Sequence, residues 1–102
     1  MWNRYLPQVS QGAILLDSKY ADWHERIDTS HLQMRCPHND ILGQLYGDYE
    51  IGVTVLFGTD HRKPRRYGFC LIGKDADWNE LRESWLDAIL LRKIGVACIS
   101  CN

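Results

Sequence analysis

Four cysteines and four histidines are the residues of this chain best suited to chemistry, and their spacing decides how much of it they could do. Cys98 and Cys101 stand in the Cys-x-x-Cys spacing that supplies half of a tetrahedral zinc site, and Cys36 with His38 could supply the other half. A site closed by those four would staple the end of the chain to the segment before residue 40. Against it, Cys-x-His is a poor pair spacing and the Cys98/Cys101 pair has no flanking knuckle, so the expectation is no bound metal and no cofactor. A redox role for Cys98 and Cys101 would need a helix N-terminus after the first thiol to lower its pKa, and no residues follow to build one. Cys36 and His38 as nucleophile and base would face awkwardly, two residues apart on a proline-containing loop. His24-Glu25 lacks the second histidine of a zinc-protease helix, and Gly43-Gln44-Leu45-Tyr46-Gly47 lacks the lysine of a phosphate-binding loop. Asp48, Glu50, Asp75 and Asp77 read as helix caps and solvated carboxylates. The chain is therefore expected not to be an enzyme, with no catalytic residue assigned.

Binding chemistry is better represented. His61-Arg62-Lys63-Pro64-Arg65-Arg66 places four cations on one stretch, with Tyr67 and Phe69 beside it. Cations can neutralise phosphates and aromatic rings can stack on bases, so nucleic acid is one candidate partner. An acidic or phosphorylated protein surface is another. The formal charge of the whole chain is −1, from 12 basic and 13 acidic residues, so no whole-molecule field steers it to nucleic acid or membrane. Gly43 and Gly47, four residues apart, would share a helical face and open a groove beside Tyr46 and Tyr49. Trp23, Trp78 and Trp85 fall on apolar stripes, whereas Trp2 fits none and is the expected exposed aromatic anchor. The partner-binding set is thus Trp2, Arg62, Lys63, Arg65, Arg66, Tyr67, Tyr46 and Tyr49.

Helices must position these residues. With 102 residues and 45% hydrophobic composition, one domain with a real core is expected, with an N-terminal arm over 1–8 and an apolar tail over 94–102. Val9, Ala13, Leu16, Tyr20, Trp23 and Ile27 recur at steps of four and three, which predicts an amphipathic helix over about 9–27, with a break near Asp22. Ile41, Leu42, Leu45, Tyr46, Tyr49, Val53, Leu56 and Phe57 predict a central helix over about 40–57, capped by Asn39 or Asp40 and ended by Gly58. Its three glycines, 43, 47 and 52, each cost about 1 kcal/mol relative to alanine, which implies backbone held close to something. Residues 59–66 read as an exposed loop. Residues 67–72, YGFCLI, could be a strand or a buried loop, and VACISC near the end could pair with them as a small sheet. Asp77 and Glu80 predict a capping box opening a last helix over about 77–93, ended by Gly95. The expected fold is mainly α, a three-helix domain with room for a minor two-stranded β element. No run approaches the roughly 20 apolar residues of a membrane span, and the N-terminus lacks the apolar run of a signal peptide. A soluble, cytoplasmic protein with reduced cysteines is expected.

The segment Ile41-Leu42-Gly43-Gln44-Leu45-Tyr46-Gly47-Asp48-Tyr49 resembles one in small uncharacterised proteins encoded by actinobacterial phages and prophages. Ala21-Asp22-Trp23-His24-Glu25-Arg26-Ile27-Asp28 is similar to what precedes it there, as is Tyr67-Gly68-Phe69 ahead of a Trp-containing last helix. The likeness spans roughly residues 9 to 93. Members carry a cysteine just before this segment where the present chain has Asp40, so a thiol role is not carried over. The family brings no known activity. The resemblance implies a compact helical protein made in the cytoplasm of an infected bacterium, and a non-catalytic module that binds and modulates a host protein.

Overall fold

A computed structural model describes the backbone of residues 3–100 and the side chains of residues 3–94. Helix α1 spans Leu6–Lys19, three residues earlier than the apolar stripe alone predicts, because Pro7 fits the first turn of a helix, where no backbone donor is needed. It buries Val9, Gly12, Ala13 and Leu16. The stripe continues to Trp23 and Ile27 but the helix does not. Tyr20 is extended (φ −143°, ψ 107°), and Trp23–Arg26 forms a separate 3-10 turn. The Trp23 indole donates to Asp17 at 2.8 Å, so the turn is tied back to the helix that precedes it. A second 3-10 turn, Thr29–His31, is capped by Asp28, whose carboxylate accepts from the Ser30 N–H.

The central helix expected over 40–57 is two helices. Helix α2 spans Ile41–Tyr46 and α3 spans Tyr49–Phe57. Gly47 divides them at φ +89°, a left-handed conformation that side chains resist. Asp48 then opens α3, accepting from the Glu50 N–H. Gly43 and Gly47 therefore do not share a helical face, and the groove expected between them does not form. Close approach occurs elsewhere. A Cβ on Gly43 would lie 2.3 Å from the Pro37 carbonyl oxygen, and one on Gly52 would lie 2.8 Å from Leu42 Cβ and from Tyr46. Gly52 thus lets α3 fold back onto α2.

Helix α4, Lys63–Arg66, is a single turn within the stretch expected to be loop, with Pro64 in its first turn. Residues 67–72 form a buried connection, not a strand. Gly68 takes φ +77°, and its carbonyl accepts the Trp85 indole N–H at 2.6 Å. Helix α5 spans Asp75–Ser100. It starts two residues before the predicted capping box, with the Asp77 carboxylate accepting from the Lys74 N–H at 2.9 Å while Glu80 pairs with Arg4. It also runs through Gly95, where a stop was expected. The tail segment through Ser100 is therefore helical and cannot pair with 67–72, and no strand occurs among the described residues. The minor β element is thereby corrected; the mainly helical architecture stands.

The core is aromatic at its centre. Trp85 stacks on Phe69 at 5.2 Å and meets Trp23 edge-on at 5.9 Å. Val9, Leu16, Leu32, Ile41, Leu42, Leu81 and Ile89 close around them. Arg92 on α5 clamps Asp17 on α1 with two bonds of 2.9 and 2.8 Å. Asn3 reaches the Glu80 carbonyl at 2.8 Å, so residues 3 and 4 of the expected arm are fastened to α5. No helix among the described residues is long and apolar enough to cross a membrane.

Candidate anion-binding face

Arg62, Lys63, Arg65 and Arg66 owe their presentation to Asp60 and Pro64. The Asp60 carboxylate accepts from the Arg62 N–H at 3.0 Å, a bond that also holds the Asp60 pKa below its usual value. This closes the turn that leads into α4. Pro64 is the buried residue of α4 and anchors that turn on the core. With Pro64 inward, Arg62, Arg65 and Arg66 are exposed and Lys63 is half-buried. The turn docks beside α1 because Gly12 lets the chain come close: a Cβ there would lie 2.1 Å from the Tyr67 carbonyl oxygen.

That docking builds a cleft of about 490 Å³ lined by Gln8 of α1 with Arg62, Arg65 and Arg66. No acidic residue lines it. None of the four cations of this stretch has an ion-pair partner among the described residues, whereas four of the five arginines elsewhere, Arg4, Arg35, Arg82 and Arg92, meet carboxylates and the fifth, Arg26, lies over the Tyr20 ring. Arg4 meets Asp77 and Glu80, Arg35 meets Asp75, Arg82 meets Glu83 and Arg92 meets Asp17. Asp60, at the turn before them, is the nearby carboxylate but lines no part of the cleft, so the three guanidiniums repel one another there, and an anion entering the cleft would relieve that repulsion while accepting planar, bidentate hydrogen bonds. Gln8 was not among the residues the sequence singled out. Nothing in the polar face of α1 marks it; only the docking of α4 brings it into the cleft.

The aromatic residues expected to assist are occupied. Tyr67 packs on Phe57 at 5.2 Å, and Phe69 is fully buried. The Tyr46 hydroxyl donates to the Tyr20 hydroxyl at 3.0 Å, and burial pushes its pKa up. Tyr49 is half-buried, and burial, with Cys70 nearby, pushes its pKa up as well. Trp2 and Cys101 lie outside the described residues, as does the side chain of Cys98.

A second group of titratable side chains lies around residues 38–49. Asp40, 1% exposed, caps α2, with its Oδ1 accepting from the Gly43 N–H at 2.6 Å. Burial pushes its carboxyl pKa up to about 7, and its Oδ2 has no hydrogen-bond partner. A cavity of about 270 Å³ lies beside it, lined by Met34, Arg35, Pro37, Tyr49, Cys70 and Trp78 as well as Asp40. His38 Nδ1 lies 3.0 Å from the Gly47 carbonyl oxygen, bracing the turn between α2 and α3. Cys36 and His38 belong to no group of three metal-ligating side chains among the described residues. No family model, no curated protein and no solved structure matches this chain.

Proposed function

We propose that this chain is a non-catalytic interaction module that engages a negatively charged surface of a partner protein through Arg62, Arg65 and Arg66, with Lys63 beside them. The observation that carries the reading is the contrast between these cations and the rest. Of the five arginines elsewhere, four meet carboxylates and Arg26 lies over the Tyr20 ring beside the Leu45 carbonyl, whereas this cleft gathers three guanidiniums with no acid among its lining residues. The non-catalytic half is supported by how the titratable groups are used. Asp40 caps a helix, His38 braces a turn, and Tyr49 is half-buried against the core. In keeping with the resemblance to phage-encoded proteins, the partner would be a host protein met in the cytoplasm.

Nucleic acid is the second reading, because the same cations could neutralise phosphates. It is the weaker one, since Phe69 is fully buried and Tyr67 packs on Phe57, so neither ring that follows the cations is free to stack on a base. The test is capture of partners from nuclease-treated host lysate by the wild type and by the Arg62→Glu/Arg66→Glu variant, followed by affinity measurement at two salt concentrations. The expected result is a protein whose binding weakens with salt and is lost on charge reversal, since exposed charges act over about 10 Å and are readily screened. A partner retained equally by wild type and variant would overturn the proposal. Capture abolished by nuclease would transfer it to nucleic acid.

A further inference from the structure

Next to the arginine cleft lies a second cleft of about 180 Å³, lined by Tyr5, Gln8, Arg65, Gly68, Cys70, Leu71, Ile72 and Leu81. Gln8 and Arg65 border both, so the two clefts adjoin. Their chemistry is opposite. The first is cationic. The second is apolar, with Leu71 (8% exposed) and Leu81 (1% exposed) as its floor and Ile72 at its rim. Ile72 is 81% exposed, more than any other large hydrophobic residue among those described. A bulky apolar side chain held in water at the edge of an apolar hollow is a surface that gains by being covered. No acidic residue lines either cleft.

We propose that the two clefts form one bipartite groove for an extended peptide segment of the partner, with an acidic side chain seated among Arg62, Arg65 and Arg66 and an apolar side chain two residues away seated on Leu71, Ile72 and Leu81. The inference rests on the reading of the arginine face as a binding surface and adds what the partner must carry. In an extended chain, residues i and i+2 point to the same side about 7 Å apart, the shortest same-side spacing a peptide offers to two hollows that share Gln8 and Arg65 in their walls. A helical segment would space its same-side residues by three or four positions instead. The apolar half argues for a peptide over nucleic acid, because Leu71, Ile72 and Leu81 are aliphatic and suit an aliphatic side chain, whereas bases are held chiefly by stacking on aromatic rings. The arginines provide attraction at a distance and the apolar hollow provides selectivity, a division found where a few buried anchors carry most of the binding energy.

The experiment is an array of nine-residue peptides in which one leucine is walked from one to four positions after a glutamate, beside a glutamate-only peptide and a single-stranded oligonucleotide of equal charge. Binding is read by fluorescence anisotropy at one fixed salt concentration. The expected optimum is at the second position, about tenfold tighter than the glutamate-only peptide. Ile72→Ser should remove that advantage and leave glutamate-only binding unchanged; Ile72 is exposed, so the variant should fold normally. Arg65→Ala should weaken every peptide. A flat response to leucine position, an advantage unaffected by Ile72→Ser, or an oligonucleotide that binds more tightly than every peptide would overturn the bipartite groove. In those cases the arginine face would survive as a simple anion site, provided Arg65→Ala still weakened binding. If no probe bound in an arginine-dependent way, both readings would fall together.

Discussion

Raising the pH from 5 to 7.5 should destabilise this protein, and Asp40→Asn should abolish the effect. Asp40 is almost wholly buried, and its carboxyl titrates at about 7 instead of the ordinary 3.8. Loss of hydration is the main cause; the neighbouring Asp48 charge adds to it, while the Gly43 N–H and His38 oppose it. An acid whose folded pKa is raised holds its proton in the native state after the unfolded chain has released it. Its contribution is therefore fully present below the unfolded pKa and is lost as the pH rises from about 4 to about 7. The full gap corresponds to about 4 kcal/mol at 1.36 kcal/mol per pH unit, of which about 2.5 kcal/mol falls between pH 5 and 7.5. Asparagine is also a good helix N-cap and can still accept from Gly43, so the variant should keep the cap and lose the charge. Urea unfolding followed by tryptophan fluorescence at pH 5, 6, 7 and 7.5 would read this directly, since Trp23 and Trp85 are both buried. The wild-type midpoint should fall across the series while that of the variant stays level. A level wild-type series, or a variant that falls in parallel with it, would refute the assignment of a buried, late-titrating carboxyl to Asp40.

Gly12→Ala should cost about 3 kcal/mol, because its methyl group would meet the Tyr67 carbonyl and the Trp85 ring, whereas Gly47→Ala, strained in φ but with open space around it, should cost about 1 kcal/mol; urea midpoints of the two variants would check the order. Asp17→Asn should weaken the α1–α5 clamp by about 1 kcal/mol at pH 7 and by less at pH 3. The Arg92 bond holds the Asp17 pKa down, so its contribution is present at neutral pH and lost on acidification, and partial exposure keeps it small. Arg62→Glu/Arg66→Glu should leave the urea midpoint within about 0.5 kcal/mol of wild type, since both side chains are exposed, while eliminating partner binding in a pull-down.

Several features were legible without coordinates, and each depends on short-range pattern. Val9, Ala13, Leu16, Trp23 and Ile27 are all buried as their spacing implies, even though the helix stops at Lys19. A 3-10 turn can keep the same residues facing the core, so the burial outlasts the helix. A cap at Asn39 or Asp40 was recognisable from their position ahead of an apolar run, and Asp40 is the one that caps α2. On α5 the apolar spacing of Trp78, Leu81, Trp85, Ala88 and Ile89 marks one face in the sequence; the last four are buried and Trp78 is half-buried. The three central glycines were rightly read as signs of close approach at 43 and 52 but misread at 47, where the backbone turns to the left. Periodicity cannot tell one helix from two that share a stripe across a tight turn. Gly95 was read as a stop, but a glycine inside a helix costs only about 1 kcal/mol and does not end it.

What the sequence by itself determined is a mainly helical chain, its apolar faces, and a dense run of cations at 62–66. Only the tertiary structure decided that α4 lies against the start of α1, so that Gln8 joins three arginines around one cleft and Tyr5, Leu71, Ile72 and Leu81 line the next. The physical reason is range. Helix propensity, caps and periodicity are settled between residues a few positions apart, whereas this docking depends on a missing Cβ at Gly12 and on Trp85 bonding the Gly68 carbonyl, contacts between residues far apart in the chain.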